Sequence, residues 1–121
     1  MSYSREFRDH VLDLLDSAGS VTPRAMFGGV GLYLDGVFFA IISDDVLYFK
    51  VDDDSRKAYI SEGMAAFAPF IDRPALRSYY EVPSDLFDDG ETLRLWARRA
   101  WEAARRSAKP ASSSGPQRRR P

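Results

Sequence analysis

Nucleophilic and metal chemistry have little to work with in this sequence. Its 121 residues include one histidine, His10, and no cysteine. An ordinary zinc site draws on several His or Cys ligands. A serine triad needs a histidine base beside a nucleophile on a sharp elbow, and no such elbow is present. His10 stands three residues after Phe7 and four before Leu14, so it borders an apolar helical stripe and reads as a flank residue. Nine of the 18 acids cluster in three groups: Asp44-Asp45, Asp52-Asp53-Asp54, and Asp85 with Asp88, Asp89 and Glu91. None has the spaced acids, central glycine and final glutamate of a calcium loop. Turn and cap positions account for them. No catalytic residue, metal ligand or cofactor is expected, and the chain reads as non-enzymatic.

Binding chemistry has better candidates. Gly28, Gly29 and Gly31 resemble a phosphate cradle only in composition, because such a cradle needs a helix after the glycines and here a strand follows. A bulged strand or a close backbone approach explains them better. Arg24 follows Pro23 and precedes Ala25-Met26. Its ordinary role would be a salt bridge; its functional role would be an anchor for a partner or an anion. Lys50, between Phe49 and Val51, would be an activated amine only if desolvated, and a solvated strand-end lysine is the simpler reading. Tyr79 and Tyr80 are adjacent on an expected strand, so they point to opposite faces, one inward and one outward. The candidate binding surface is Arg24, Met26, Gly28, Gly29 and Tyr80. Phe67, Phe70 and Trp101 are further aromatics that either extend a core or form a patch.

The elements that must position these residues follow from spacing. Phe7, Val11, Leu14, Leu15 and Ala18 recur at helical intervals, which predicts a helix from about Ser4 to Ser17 ended by Gly19. Three strands are expected next: Ala25 to Leu34, Val37 to Ile42, and Val46 to Val51. Asp35-Gly36 and Ser43-Asp44-Asp45 supply the turns between them. The aspartates at 52–54 and Ser55 open a short helix closed by Gly63. A short strand at Ala66-Phe67 and a longer one from Arg77 to Val82 follow, closed by Pro83. Asp88 with Glu91 has capping-box spacing before a last helix of about Asp89 to Arg106, whose inner face carries Leu93, Trp96, Ala97 and Ala100.

Helix, three strands, helix, one or two strands, helix predicts an α+β two-layer sandwich, an antiparallel sheet with helices packed on one face. Apolar residues make up 45% and charged residues 29% of the chain, a globular composition. Residues 1–107 are expected to form one domain. From Ala108 the chain is rich in Ser, Pro and Arg and is expected to be a disordered basic tail. That tail holds Lys109, Arg118, Arg119 and Arg120 and no acid, leaving 13 basic against 18 acidic residues before it. The longest apolar run, Val37 to Ile42, is far too short to span a bilayer. With no cysteine and no signal-like segment, a cytoplasmic location and no membrane partner are expected.

One block is more specific than any of this. Arg24-Ala25-Met26-Phe27-Gly28-Gly29-Val30-Gly31-Leu32-Tyr33-Leu34-Asp35-Gly36-Val37-Phe38-Phe39 resembles the signature of the TfoX N-terminal domain family, the TfoX/Sxy-like proteins. The resemblance continues through Leu47-Tyr48-Phe49-Lys50-Val51-Asp52, Ser78-Tyr79-Tyr80-Glu81-Val82-Pro83 and Leu95-Trp96. It covers Ser4 to about Ala104. It implies a two-layer fold like that of secretion chaperones and brings no catalytic residues. Named members regulate natural competence with the cyclic-AMP receptor protein and carry a second, C-terminal domain that the resemblance does not reach. A regulatory, protein-interaction module with a protein partner is therefore expected. The alternatives are weak, salt-sensitive nucleic-acid binding through Arg118, Arg119 and Arg120, or a small-ligand protein with a deep pocket and convergent polar groups.

Overall fold

The structure, a computed structural model, describes residues 3–26, 28–69 and 72–108. Helix α1 (Arg5–Leu15) begins where the Ser4 hydroxyl accepts from the Phe7 N–H at 3.0 Å, which supplies a partner to one of the free amides of the first turn. It tightens into a 3-10 turn over Asp16–Ala18. Six strands follow in the order β1 (Val21–Met26), β2 (Gly29–Leu34), β3 (Val37–Ser43), β4 (Val46–Lys50), β5 (Ala66–Phe67) and β6 (Leu76–Glu81). Helix α2 (Arg56–Ser61) lies between β4 and β5, and α3 (Gly90–Ala108) is the last described element. The sheet runs β1-β2-β3-β4-β6-β5 and every pairing is antiparallel. This is the expected α+β sandwich.

Two local expectations change. The segment expected as one strand from Ala25 is a hairpin: Met26 pairs with Gly29, and Gly28 adopts a left-handed φ of +76° in the turn. Its first strand escapes notice in the sequence because β1 is an edge strand. Most of it is exposed, so it shows no apolar alternation, and an edge position tolerates Pro23. The last helix is capped one residue later than expected. A 3-10 turn over Ser84–Asp88 uses up Asp88, and Asp89 accepts from both the Thr92 N–H (3.3 Å) and its hydroxyl (2.8 Å).

The short helix opens as expected. The Asp52 carboxylate accepts from the Ser55 N–H at 2.7 Å, and the Ser55 hydroxyl accepts from the Asp52 N–H at 3.0 Å. The bond from the Ser55 N–H, with smaller contributions from the Ser55 hydroxyl and the Arg106 guanidinium, holds the Asp52 carboxyl below the usual range against the opposing effect of burial.

The core lies between one face of the sheet and the helices. Val11 and Leu15 of α1, Leu32 of β2, Phe39 and Ile42 of β3, Phe49 of β4 and Leu93 of α3 are fully enclosed. Each such side chain contributes roughly 1.5–3 kcal/mol by leaving water. A bulge lies between β2 and β3, where Leu32 pairs with Ala40 but Tyr33 pairs with Phe38. The extra residue, Phe39, turns inward against Phe49 at 6.1 Å between ring centres. Trp101 joins this layer: its indole N–H donates to the Leu34 carbonyl at 2.9 Å. Among the described residues no helix is long and apolar enough to cross a membrane.

Candidate functional site

Strand alternation sends every second residue to the face of the sheet away from the helices. On β1 these are Thr22, Arg24 and Met26; on β2, Gly31 and Tyr33; on β3, Phe38 and Ile41; on β4, Tyr48 and Lys50; on β6, Arg77, Tyr79 and Glu81, as the strand pairings require. Five of these side chains form one continuous row. The Arg24 guanidinium stands 5.5 Å from the centre of the Tyr33 ring. Tyr33 meets Phe38 at 5.2 Å, and Phe38 meets Tyr79 at 5.7 Å. The Lys50 ammonium closes the row 5.2 Å above Tyr79.

The electrostatics of the row are one-sided. Among the described residues neither Arg24 nor Lys50 forms an ion pair. Both cations rest on the negative faces of tyrosine rings, a contact worth about 0.5–1 kcal/mol where exposed. Partial burial lowers the Lys50 pKa from its ordinary value. Burial, with a smaller contribution from Tyr33, pushes the Tyr79 phenol up to about 12. Tyr79 is therefore neutral near neutral pH, and the row presents two positive ends joined by an apolar, aromatic middle. Tyr48 extends the face toward β5, packing on Phe67 at 4.7 Å.

The glycines shape this face. A Cβ on Gly31 would lie 2.9 Å from Phe38 Cε1 and 3.0 Å from Met26 Sδ, so the absent side chain leaves room for both neighbours. Gly29 serves the fold instead: a Cβ there would lie 2.3 Å from the Ile42 carbonyl oxygen, the close backbone approach expected of it.

The residues singled out from the sequence thus separate. Arg24 and Met26 lie on the helix-free face, Gly28 is exposed in the β1–β2 turn, and Gly29 is buried. Tyr80 is only 7% exposed and packs inward against Tyr59 at 6.1 Å between ring centres, so the outward tyrosine of the pair is Tyr79. The reason is register: Tyr80 pairs with the core residue Phe49, and Tyr79 with Lys50. Tyr33, Phe38 and Lys50 were missed as surface partners because their neighbourhood exists only once β1, β2, β3, β4 and β6 are laid side by side. His10 is exposed and borders Phe87 at 6.1 Å, the flank role expected of it. Phe70, Arg118, Arg119 and Arg120 lie outside the described residues.

A concavity of about 220 Å³ lies between α2 and α3, bordered by Ser55, Ala58, Tyr59, Thr92, Leu95, Trp96, Arg99 and Ala100, with Lys50 at its margin. Lys50 is the one residue it shares with the aromatic row.

Residues 13–104 match the family model of the TfoX N-terminal domain. No curated protein sequence matches the chain. The matched region contains α2, all six strands, and both the aromatic row and the concavity. The chain belongs to the TfoX N-terminal domain family.

Proposed function

We propose that this protein is a non-enzymatic regulatory module that binds a protein partner through the helix-free face of its sheet. The observation that carries the reading is the row Arg24–Tyr33–Phe38–Tyr79–Lys50, in which two cations without carboxylate partners among the described residues flank half-buried aromatic rings. Arginine and tyrosine are the residues that most often dominate interface energies, because they combine large contact area with directional polar groups. A partner that offers carboxylates at the spacing of Arg24 and Lys50, with apolar side chains between, would complete the electrostatics of the face.

A second reading shares the surface. Aromatic rings beside cations also suit stacked bases of single-stranded nucleic acid. The excess of acids before the basic tail, 18 against 13 basic residues, works against it by repelling a phosphate backbone.

The test is quantitative affinity capture by the full chain, compared with Arg24→Ala and Tyr79→Ala variants that keep the wild-type melting temperature. Loss of one protein band in both variants supports the reading. Equal capture by all three chains removes this surface from consideration. Salt-resistant retention of a labelled single-stranded oligonucleotide, lost in the same variants, would replace the protein partner with nucleic acid.

A further inference from the structure

The concavity between α2 and α3 holds an unusual pairing. Tyr59 is 4% exposed, yet its hydroxyl has no hydrogen-bonding partner among the described residues. Buried polar groups are nearly always satisfied, and each exception calls for a cause. Tyr59 borders the concavity, and so does Arg99, whose charge acts on the phenol against the effect of burial. Arg99 itself is exposed and forms no ion pair among the described residues. Lys50 also borders the space, but its ammonium stands over Tyr79. Arg99 is therefore the cation available there.

Apart from Ser55 and Thr92, the remaining walls are apolar. Trp96 meets Tyr59 edge-on at 4.7 Å, Ala58 and Ala100 leave space beside it, and Leu95 forms a rim that is 54% exposed. A leucine so exposed beside an apolar hollow gains from being covered. At about 220 Å³ the space is below the usual range for drug-sized ligands, which limits the occupant to a small molecule.

We propose that this concavity binds a small amphiphilic carboxylate, its head held by the Arg99 guanidinium and the Tyr59 hydroxyl and its apolar body against Trp96, Ala58 and Leu95. The Tyr59 hydroxyl then donates to a carboxylate oxygen and acquires the partner it lacks. Arg99 donates to the same head, and charge-assisted bonds of this kind are the strong ones. The site shares only Lys50 with the aromatic row, and the head-group contacts proposed here, Arg99 and Tyr59, do not belong to that row.

Isothermal titration calorimetry of the full chain with sodium octanoate tests this, with octylamine and sodium acetate as comparisons. Octanoate is expected to bind one-to-one and to quench Trp96 fluorescence in a Trp101→Phe background, while octylamine and acetate do not. Arg99→Ala should weaken octanoate binding about tenfold or more, the loss of one charge-assisted bond. Ala58→Phe, at an exposed position of α2, should fill the space and abolish binding. Tyr59→Phe should weaken binding without lowering the melting temperature, since the hydroxyl it removes has no hydrogen-bonding partner among the described residues. Arg24→Ala should leave octanoate binding unchanged. Absence of octanoate binding, equal binding of octylamine, or binding indifferent to both Arg99→Ala and Ala58→Phe would each overturn the proposal. So would a large fall in the melting temperature of Tyr59→Phe.

Discussion

The two faces of the sheet are built from the same strands and the same kinds of residue, yet they do different work. Toward the helices, Phe39, Phe49 and Tyr80 lie among Val11, Leu15, Leu93 and Ala97, with almost nothing exposed. Away from the helices, Tyr33, Phe38 and Tyr79 remain partly exposed, and cations stand over the rings of Tyr33 and Tyr79. Aromatic residues on the inner face contribute to stability by leaving water. Those on the outer face keep part of their surface in water and hold two charges in place. A mutation of the same chemical kind should therefore have different consequences on the two faces.

The largest effect is expected for Phe39→Ala. The side chain is fully enclosed and sits at the bulge where two residues of β3 face inward, so truncation should cost about 3–5 kcal/mol, read as a shift in urea midpoint. Gly29→Ala comes next. The new methyl meets the Ile42 carbonyl oxygen at 2.3 Å, and a backbone atom cannot swing away, so a loss of about 1–3 kcal/mol is expected. Gly31→Ala should cost less, because its methyl meets the side chains of Phe38 and Met26, which can move. If Gly31→Ala proves the more damaging of the two, the division of roles between the glycines is wrong.

Phe38→Ala breaks the row at its centre. It removes two aromatic contacts, each worth about 0.5–1.5 kcal/mol, and the loss should remain well below that of Phe39→Ala, its immediate neighbour. Arg24→Ala should change stability by no more than about 0.5 kcal/mol while reducing partner capture, the sharpest separation of stability from binding.

The outer face should also be visible in alkali. The Tyr79 phenol stays protonated to about 12 in the folded protein, against about 10 in an unfolded chain. The folded state thus binds this proton more tightly. The contribution is complete below about pH 10 and is lost as the pH rises through the folded value. Urea midpoints measured across that window should fall with pH, and Tyr79→Phe should flatten part of the fall. A wild-type profile unaffected by this substitution would mean that Tyr79 is no more buried than an ordinary surface tyrosine.

Much of this architecture was legible in the sequence. Apolar spacing located the first and last helices, the aspartates at 52–54 with Gly63 located the short one, and Asp35-Gly36 and Asp44-Asp45 marked the turns between strands. Those turn aspartates adopt positive φ, at 52°, 53° and 59°, as short polar side chains can. Two features were hidden. Strand β1 carries little apolar signal because it is an exposed edge. The bulge in β3 lies within the run Val37 to Ile42, where every residue is apolar and alternation conveys nothing about which face each takes. The choice between Tyr79 and Tyr80 was readable but missed. Arg77 and Glu81 share the parity of Tyr79, and the charges mark the outer face. The row itself depends on long-range pairing, which no local pattern reports.

The central claim is that the helix-free face is the working surface. Hydroxyl-radical footprinting of the protein in complex with its captured partner tests it most directly. Protection of Met26, Tyr33 and Tyr79, with Leu95 and Ile60 on the helical side still labelled as in the free protein, is the predicted result. Protection confined to the helical side, with those three residues as reactive as before, would contradict it.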